Sequence, residues 1–248
     1  SPNPGYPELK NAIVAKLKNE NGLDYKPSQI LCSNGAKQSV CNVLMSIISK
    51  GDEVIIPAPF WVSYVEMVKL AEGTNVIVPT TFEQNYKLSA KQLEEAITPK
   101  TKAIILCSPS NPTGSVYSKK ELEELVSVLK NYPNIIVIAD EIYEHINYVG
   151  KHESIAQFSE IFDRTVIVNG VSKGYAMTGW RIGWIAAPQW IASACNKLQG
   201  QYTSGPSSIA QKAAEAAYTG SQDCVEEMRK AFENRKNLIL KLASEIEG

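Results

Sequence analysis

The chain has 248 residues, 44% of them hydrophobic, and a formal net charge of −1. This length predicts one large domain, or one domain with an appendage. Acidic and basic residues are interleaved, which argues against a nucleic-acid-binding surface or a basic membrane-binding face, and no apolar run approaches the ~20 residues that a membrane-spanning helix needs.

The five cysteines and two histidines predict neither a disulfide framework nor a metal site. The cysteine number is odd and no CxxC pair occurs, which favours free thiols in a reducing cytoplasm. His145 and His152 have no cysteine partner nearby and no helical metal spacing, so we interpret them as residues of the surface or of the surroundings of a site. No signal peptide is visible, and we expect a cytoplasmic protein without a metal.

The first strand of the chain leads into a candidate anion site. A helix from Pro7 to about Gly22 precedes a strand over residues 29–33, a glycine turn and a second helix that runs to Ser49. Because the first N–H groups of a helix have no intrahelical partners, the segment Gly35-Ala36-Lys37 can bind an anion. One glycine is a weak signal, and these residues also fit an ordinary turn.

An aromatic residue and an amide follow two further predicted strands. The strand over residues 53–57 leads to Trp61, which either packs in the core or offers a flat platform for an aromatic ligand. The apolar strand over residues 102–107 ends in a dense turn signal. Within that turn Asn111 precedes Pro112, which biases Asn111 toward an extended conformation.

An acid follows the most apolar strand of the chain. The strand over residues 135–139 leads at once to Asp140 and Glu141, with Tyr143 close behind. A carboxylate at the end of a buried strand is costly unless it has a partner. The alternative interpretation is an ordinary aspartate N-cap of a helix.

A lysine and an arginine mark the last strand–turn segment. The apolar run over residues 165–168 leads through a turn to Ser172 and Lys173. Arg181 lies eight positions further on and begins one more short predicted strand, over residues 181–186. Desolvation makes a lysine amine nucleophilic toward carbonyl groups, and the planar guanidinium of arginine suits a phosphate. The alternative is a surface lysine beside a structural arginine.

Helices alternate with these strands along the chain. Capping-box patterns at Ser89 and Ser118 predict two helix starts, and from Pro188 onward the sequence is typical of three helices, the last beginning at Ser221. This alternation predicts an α/β fold of three layers, a mostly parallel sheet with helices on both faces. Ligands of such sheets bind beyond the carboxyl ends of the strands, which is where these polar and aromatic residues lie: Lys37, Trp61, Asn111, Asp140, Tyr143 and Lys173.

This set of residues suits pyridoxal 5′-phosphate, which combines an aldehyde, an aromatic ring, a ring nitrogen that must stay protonated and a phosphate. A lysine can form an imine with the aldehyde, and an acid can pair with the ring nitrogen so that the ring accepts electrons. An arginine and a helix N-terminus can hold the phosphate, while an aromatic side chain stacks on the ring.

The motifs then become specific. The chain resembles the large domain of the class I aminotransferases, which are fold-type I pyridoxal-phosphate enzymes, and within them the bacterial aspartate aminotransferases. The resemblance rests on motifs that occur in the order of the family between Ser1 and about Ala187: PNPGYPELK, SNGAKQ, APFWVSYVEM, SPSNPTG, ADEIYE and VSKGYAMTGWRIG.

The resemblance implies a role for each site residue. Lys173 matches the lysine that forms the imine and then moves the substrate α-proton, and Asp140 matches the partner of the pyridine nitrogen. Tyr143 and Asn111 match donors to the ring oxygen, with Asn111 also facing the substrate carboxylate, and Trp61 matches the stacked residue. The implied catalytic residues are therefore Lys173, Asp140 and Tyr143.

The same resemblance implies a phosphate cradle and a substrate contact. Arg181 and the backbone of Gly35, Ala36 and Lys37 match the cradle, which Ser172 assists. The family often has a serine three positions before the lysine, where this chain has Gly170. Lys37 is implicated in binding the side-chain carboxylate of an acidic substrate, so the substrate contacts are Lys37, Trp61 and Asn111.

The implied activity is transamination between an amino acid, of which L-aspartate is the first candidate, and a 2-oxo acid such as 2-oxoglutarate. The family implies a homodimer with shared active sites. The chain lacks an initial methionine and ends in a helical pattern, so we expect a fragment with a pyridoxal-phosphate-binding large domain over residues 1–220. Residues 221–248 are then the start of a long helix that leads to a small domain outside this sequence.

Three other functions remain open from the residues. The run Gly170-Val171-Ser172-Lys173-Gly174 fits the G-x-S-x-G pattern of serine hydrolases, but no histidine follows Ser172 in this sequence. A non-catalytic pyridoxal-phosphate-binding half of a transcription regulator is a second alternative. The third is another pyridoxal-phosphate reaction on the same fold, such as that of a lyase or decarboxylase.

Overall fold

A computed structural model describes residues 2–246 of the chain and places seven strands in one sheet. The order across the sheet is β1-β7-β6-β5-β4-β2-β3. Of the strands in this part of the chain, β7 alone runs against the others, because it pairs antiparallel with both β1 and β6 while every other pairing is parallel. The strands are β1 Ile30–Ser33, β2 Glu53–Ala58, β3 Thr74–Pro79, β4 Thr101–Cys107, β5 Ile136–Asp140, β6 Thr165–Gly170 and β7 Gly183–Ala186.

Most helices lie where the sequence predicts them, with small shifts at their ends, but the short helix Ser159–Phe162 was not predicted. Ser89 and Ser118 each form the predicted capping box, in which the serine hydroxyl accepts from the backbone N–H three residues on. After α1 a short π-helical turn, Leu17–Asn21, ends at Gly22 in the left-handed conformation. The helices are α1 Pro7–Lys16, α2 Ala36–Ile47, α3 Ser63–Leu70, α4 Ala90–Ala96, α5 Lys119–Leu129, α6 Ser159–Phe162, α7 Gln189–Tyr202, α8 Ser208–Thr219 and α9 Asp223–Ala243.

Alternate residues of the strands face two different helical layers. Val166 and Val168 of β6 pack with α2, α3 and α7 on one face. Ile167, between them, packs with α1 and α8 on the other face, where α4 and α5 cover the β2–β4–β5 side. Each fully buried aliphatic side chain contributes ~1.5–3 kcal/mol. The predicted three-layer α/β fold with a mostly parallel sheet is confirmed.

The parallel strands bring their carboxyl ends to one edge of the sheet. Cys107 at the end of β4 pairs with Asp140 at the end of β5, and Asp140 pairs in turn with Val168 of β6. Two of the differences from the predicted boundaries concern site residues. Asp140 is the last residue of its strand, and Arg181 precedes β7 in a left-handed turn with φ 57°.

Candidate active site

A cleft of about 310 Å³ opens at the carboxyl edge of β4, β5 and β6. All the predicted site residues except Gly35 line it, from six separate segments of the chain: Ala36, Lys37, Trp61, Asn111, Asp140, Tyr143, Ser172, Lys173 and Arg181. Gly35 lies immediately behind the cleft and contacts the Arg181 side chain. The sheet topology therefore brings together residues that are up to 146 positions apart, from Gly35 to Arg181.

The acid of the cleft is buried and hydrogen-bonded on both oxygens. Asp140 is 4% exposed; its Oδ1 accepts from the backbone N–H of Ile142 at 3.3 Å and its Oδ2 from the Tyr64 hydroxyl at 2.6 Å. Burial raises the pKa of Asp140 to about 6, although both hydrogen bonds and the charge of Lys173 act to lower it. Asp140 is followed by turns, so the N-cap alternative is wrong.

The predicted lysine faces an aromatic and amide pair. The Nζ of Lys173 lies 5.7 Å from the centroid of the Tyr143 ring. The hydroxyl of Tyr143 accepts a hydrogen bond of 3.3 Å from Asn111 Nδ2. Lys173 itself is half-buried, so its amine is held beside an apolar ring while remaining accessible from the cleft.

An anion cradle forms where α2 begins. Gly35 caps α2 with φ 85°, a conformation that favours glycine, and the next two N–H groups have no intrahelical partners. Arg181 crosses this turn and donates to the carbonyls of Thr178 at 2.8 Å and Asn34 at 3.2 Å. A side chain at position 35 would place its Cβ 2.1 Å from Arg181 Nη2, so the close approach of the guanidinium requires glycine.

Two further glycines bring β7 against this cradle. Gly183 packs so tightly that a Cβ there would lie 2.2 Å from the backbone N of Ala36. Gly170, its pairing partner on β6, would place a Cβ 2.6 Å from the carbonyl oxygen of Ile182. Backbone therefore occupies the space of the family's serine at position 170, and the cradle relies on Arg181, Ser172 and the start of α2.

An indole forms another wall of the cleft. The Nζ of Lys37 lies 4.9 Å from the centroid of the Trp61 ring, a cation–π distance. Trp61 in turn contacts Tyr64 edge to face, with ring centroids 5.4 Å apart and planes at 87°. Trp61 packs against the core cluster and also lines the cleft, and its role as a platform for an aromatic ligand stays a prediction.

Four residues of the cleft wall were not predicted from the sequence. Tyr64 and Cys107 are the more informative of these, because Tyr64 binds Asp140 and Cys107 is its neighbour across the sheet. Their positions in the sequence could have indicated them. Cys107 ends a predicted strand, and Tyr64 lies three residues after Trp61, which is one helical turn away. The other two are Ile142 and Thr178.

A buried polar cluster lies behind the acid. The carboxylate of Glu144 accepts from Lys16 Nζ, from Asn169 Nδ2 at 2.7 Å and from Asn21 Nδ2 at 3.2 Å. Burial alone would raise the pKa of Glu144, but the Lys16 charge and neighbouring histidines lower it to about 2. This cluster ties the end of α1 to the turn that carries Tyr143 and to β6.

The two histidines belong to the same region. The His152 side chain is only 7% exposed and lies 3.1 Å from Glu141, so the surface interpretation is wrong for it. His145 Nε2 lies 3.0 Å from Glu20. Each histidine lies close to two carboxylates, His145 to Glu20 and Glu144 and His152 to Glu141 and Glu144, and within each group the possible metal-ligand atoms lie within 4.8 Å of one another. The carboxylate common to both groups, Glu144, already forms an ion pair with Lys16.

Comparison with known proteins identifies the family. The family model for class I and II aminotransferases matches residues 1–247. This chain belongs to the class I and II aminotransferase family. It is 52% identical to a Petunia hybrida bifunctional aspartate aminotransferase and glutamate/aspartate-prephenate aminotransferase, matching 100% of the chain and 53% of that protein. It is 51% identical to an aspartate aminotransferase of Bacillus sp. strain YM-2, matching 100% of the chain and 64% of that protein.

The fold comparison agrees. An aspartate aminotransferase structure from Rhizobium meliloti superposes with a TM-score of 0.98 at 42% identity, covering 100% of the chain and 62% of that structure. The chain therefore spans between about half and two thirds of the length of these relatives. The resemblance to class I aminotransferases that the motifs indicate is confirmed.

Aminotransferases of this family depend on pyridoxal 5′-phosphate, and the cleft fits that cofactor. The charged groups that line the cleft are two amines, one buried carboxylate and one guanidinium, which belong to Lys37, Lys173, Asp140 and Arg181. The glycine at position 35 lets the Arg181 guanidinium approach the start of α2, where the first N–H groups of the helix can bind an anion. The volume of about 310 Å³ lies in the range of small-molecule sites.

Proposed function

We propose that this chain is the cofactor-binding part of an enzyme that transfers an amino group between an amino acid and a 2-oxo acid. L-aspartate and 2-oxoglutarate are the substrates that we favour. The observation that carries the proposal is the single cleft in which the Lys173 amine, the buried Asp140 and the Arg181 cradle meet. Lys37 lines the same cleft beside Trp61 and supplies a cation for a second carboxylate.

The residues divide the chemistry among them. When bound, pyridoxal 5′-phosphate supplies an aldehyde and an electron-accepting ring. Lys173 would bind at the aldehyde carbon, yield its place to the substrate amine and then act at Nζ as base and acid on the substrate α-proton. Asp140 would hold the proton of the ring nitrogen. Tyr143 would support the ring oxygen together with Asn111, to which it is already hydrogen-bonded.

The remaining residues orient the ligands. Trp61 would stack on the ring and shield it from water. The Arg181 fork, Ser172 and the backbone at the start of α2 would hold the phosphate, with Gly35, Ala36 and Lys37 as the residues of that turn. Asn111 and Trp61 would also contact the substrate, whose side-chain carboxylate would meet Lys37.

The assembly and domain structure are part of the same proposal. We infer a large domain over residues 1–220, with residues 221–248 starting a helix toward a second domain, and a cytoplasmic homodimer with shared sites. The length of the relatives supports a further domain. All five cysteines are free, which suits a reducing compartment. No helix in residues 2–246 has the length and apolarity to cross a membrane.

Covalent trapping tests the site. Pyridoxal 5′-phosphate is added to the chain, the product is reduced with borohydride, and the modified peptide is identified by mass spectrometry. We expect the label on Lys173 and its loss in Lys173→Ala, because only this lysine lies in the cleft beside Asp140 and Tyr143. The control is Lys37→Ala, which removes the other lysine of the cleft wall and should still be labelled at Lys173. A label at another lysine in the wild-type chain contradicts the site.

Turnover tests the reaction in the full-length protein. L-aspartate should change the visible absorption of the cofactor-loaded enzyme, and 2-oxoglutarate should reverse the change. A protein labelled at Lys173 that exchanges no amino group with any amino acid would favour the regulator alternative instead. A response to amino acids other than L-aspartate would retain transamination and overturn the substrate.

A further inference from the structure

Tyr64 connects two walls of the cleft. It belongs to α3, and its side chain is 2% exposed and packs in the core against the sheet. Its ring meets Trp61 edge to face, and its hydroxyl donates to Asp140 Oδ2 at 2.6 Å. One residue therefore contacts both the indole expected to cover the cofactor ring and the acid expected to pair with the ring nitrogen.

The hydrogen bond is made in surroundings that oppose a negative charge. Burial and the nearby carboxylate of Glu141 disfavour the ionised form of Asp140, whereas the N–H of Ile142 and the charge of Lys173 favour it. The Cys107 and Tyr143 side chains face Asp140 as neutral groups, since the pKa of each is raised by burial and by the Asp140 charge. Tyr64 is thus the one side-chain donor on Asp140 among residues 2–246.

We propose that Tyr64 is a positioning residue that keeps Asp140 ionised and directed into the cleft. This inference rests on the proposed function, in which Asp140 pairs with the cofactor's ring nitrogen. The Ile142 N–H occupies Oδ1 and the Tyr64 hydroxyl occupies Oδ2. A carboxylate oxygen has two lone pairs, so each oxygen retains one acceptor position for a further N–H.

A tyrosine suits this role because it remains a donor at every working pH. Burial and the Asp140 charge hold the pKa of Tyr64 well above its usual value. The hydroxyl adds no net charge to the cleft, unlike a histidine or lysine in the same place. Its ring is fixed by the core, so the hydroxyl does not lose freedom when the hydrogen bond forms.

The test begins with the cofactor-free chain. Aspartate carboxyl carbons are labelled with ¹³C and followed by NMR through a pH titration, with Asp140→Asn used to assign the Asp140 signal. We expect Tyr64→Phe to raise the Asp140 midpoint by about one to two pH units, since a hydrogen bond to a charged group is lost. The ring contact with Trp61 is retained in that variant. An unchanged midpoint overturns the proposal.

Tyr25→Phe is the matched control. Tyr25 is also buried, and within the described part of the chain its hydroxyl has no hydrogen-bond partner. Its removal deletes a buried hydroxyl without touching Asp140, so the Asp140 midpoint should stay at its wild-type value. An equal shift in both variants would show a general effect of core polarity and would overturn the specific role of Tyr64.

Cofactor affinity gives the second readout. Tyr64→Phe should weaken binding of pyridoxal 5′-phosphate roughly tenfold at pH 5. At this pH, which is below the midpoint, raising the Asp140 midpoint by one pH unit lowers the ionised fraction of Asp140 about tenfold. The loss should shrink toward pH 8, where Asp140 is ionised in both proteins. A purely structural defect would lower affinity equally at every pH, which would overturn the proposal.

The wild-type chain supplies a measurement that does not depend on the variant folding. With ¹³C at the tyrosine Cζ, the chemical shift of Tyr64 should change with pH at the same midpoint as Asp140. A Tyr64 chemical shift that does not change at that midpoint overturns the proposal. The NMR result stands apart from the proposed function. A wild-type chain that shows the coupling but takes no pyridoxal 5′-phosphate at Lys173 would reject the proposed function and leave the Tyr64–Asp140 linkage in place.

Discussion

Asp140 illustrates at the scale of one residue how a functional group reduces the stability of its fold. Burial disfavours the charge and raises the pKa of Asp140 from an ordinary value of 3.8 to about 6 in the folded chain. At neutral pH the folded state therefore holds an ionised carboxylate that the unfolded state solvates better. The two hydrogen bonds of Asp140 offset only part of this cost.

Replacing Asp140 by asparagine should reveal this cost as a pH dependence. The raised pKa means that the favourable contribution of the protonated group is complete below about pH 4 and is lost as the pH rises through about 6. The free energy of unfolding of Asp140→Asn, relative to that of the wild type, should therefore increase between pH 4 and 7 by up to about 3 kcal/mol. Urea unfolding of the cofactor-free proteins at each pH measures it.

The outcome that contradicts this argument is a constant difference between the two proteins over that range. Glu121→Gln is a suitable control, because Glu121 belongs to the α5 capping box and does not line the cleft. Its pKa is lowered by Lys87 and Ser118, which outweigh burial. Any stability that it contributes is therefore present above its unfolded pKa and lost at lower pH, which is the opposite direction to Asp140.

Sequence reasoning located the residues of the cleft but not their contacts. Strand ends predicted Asp140, Asn111 and Lys173, because the topology of a parallel sheet fixes where such ends meet. Sequence reasoning did not predict the contact of Tyr64, because it arises where a helix packs against a strand. Tyr64 and its partner Asp140 lie 76 positions apart in the sequence. The roles assigned to the site residues stay predictions until the labelling and titration experiments above are done.

At the scale of elements, the anion cradle depends on how closely β7 approaches the start of α2. A Cβ at Gly183 would lie 2.2 Å from the N of Ala36 and 2.4 Å from the carbonyl carbon of Gly35. Both contacts are with backbone, which cannot rotate away as a side chain can. A larger residue at position 183 must therefore displace either the strand or the first turn of the helix.

Gly183→Ala should damage both folding and anion binding. Overpacking of this kind costs about 1–3 kcal/mol, and the shifted N–H groups of Ala36 and Lys37 should weaken pyridoxal 5′-phosphate binding at least about tenfold, as expected for a misplaced set of charged hydrogen bonds. Unfolding in urea and a cofactor titration measure the two effects.

Gly179→Ala is the control for the same loop. Among residues 2–246, no atom outside its own neighbourhood lies within 4 Å of the Cβ that this variant would add. Its stability should stay within about 0.5 kcal/mol of the wild type. Equal cofactor affinity in Gly183→Ala and Gly179→Ala would show that the contact between β7 and α2 does not shape the cradle.

Elements were predictable where local chemistry decides them. The capping boxes at Ser89 and Ser118 and the stop at Gly22 follow from the sequence, because neighbouring residues make the hydrogen bonds concerned. The prediction failed at Arg181, which was placed in a strand. Arg181 instead has a left-handed backbone conformation, and its guanidinium donates to the carbonyl of Asn34, 147 positions away, a long-range contact that local sequence does not reveal.

At the scale of the whole molecule, the N-terminal part of α9 packs against the rest of the domain, whereas its C-terminal part is exposed. Val225 is buried, and Gln222 just before the helix accepts a hydrogen bond of 2.8 Å from the Tyr175 hydroxyl. Further along the helix, the Lys236 amine lies 4.8 Å from the centroid of the Tyr148 ring. Residues 237–246 are exposed and include a group of large apolar side chains: Leu238, Ile239, Leu240, Leu242 and Ile246.

Truncation of α9 at two positions should separate these parts. Removing residues 237–248 deletes side chains that are exposed in the described range, so the melting temperature should change by no more than about 2 °C. Removing residues 221–248 also deletes the burial of Val225 and the Gln222 hydrogen bond, worth about 2–4 kcal/mol together, and should lower the melting temperature by about 5–15 °C. Thermal unfolding followed by circular dichroism compares the two with the intact chain.

The comparison bears on the division of the chain near residue 220. If the shorter truncation costs as much as the longer one, the exposed end of α9 stabilises the body and the helix belongs to the same folding unit. If only the longer truncation lowers the melting temperature, the apolar side chains beyond Lys236 do not stabilise this chain. Large exposed apolar groups on a stable helix mark a surface made for contact with something else, and the greater length of the relatives supports a second domain as that partner.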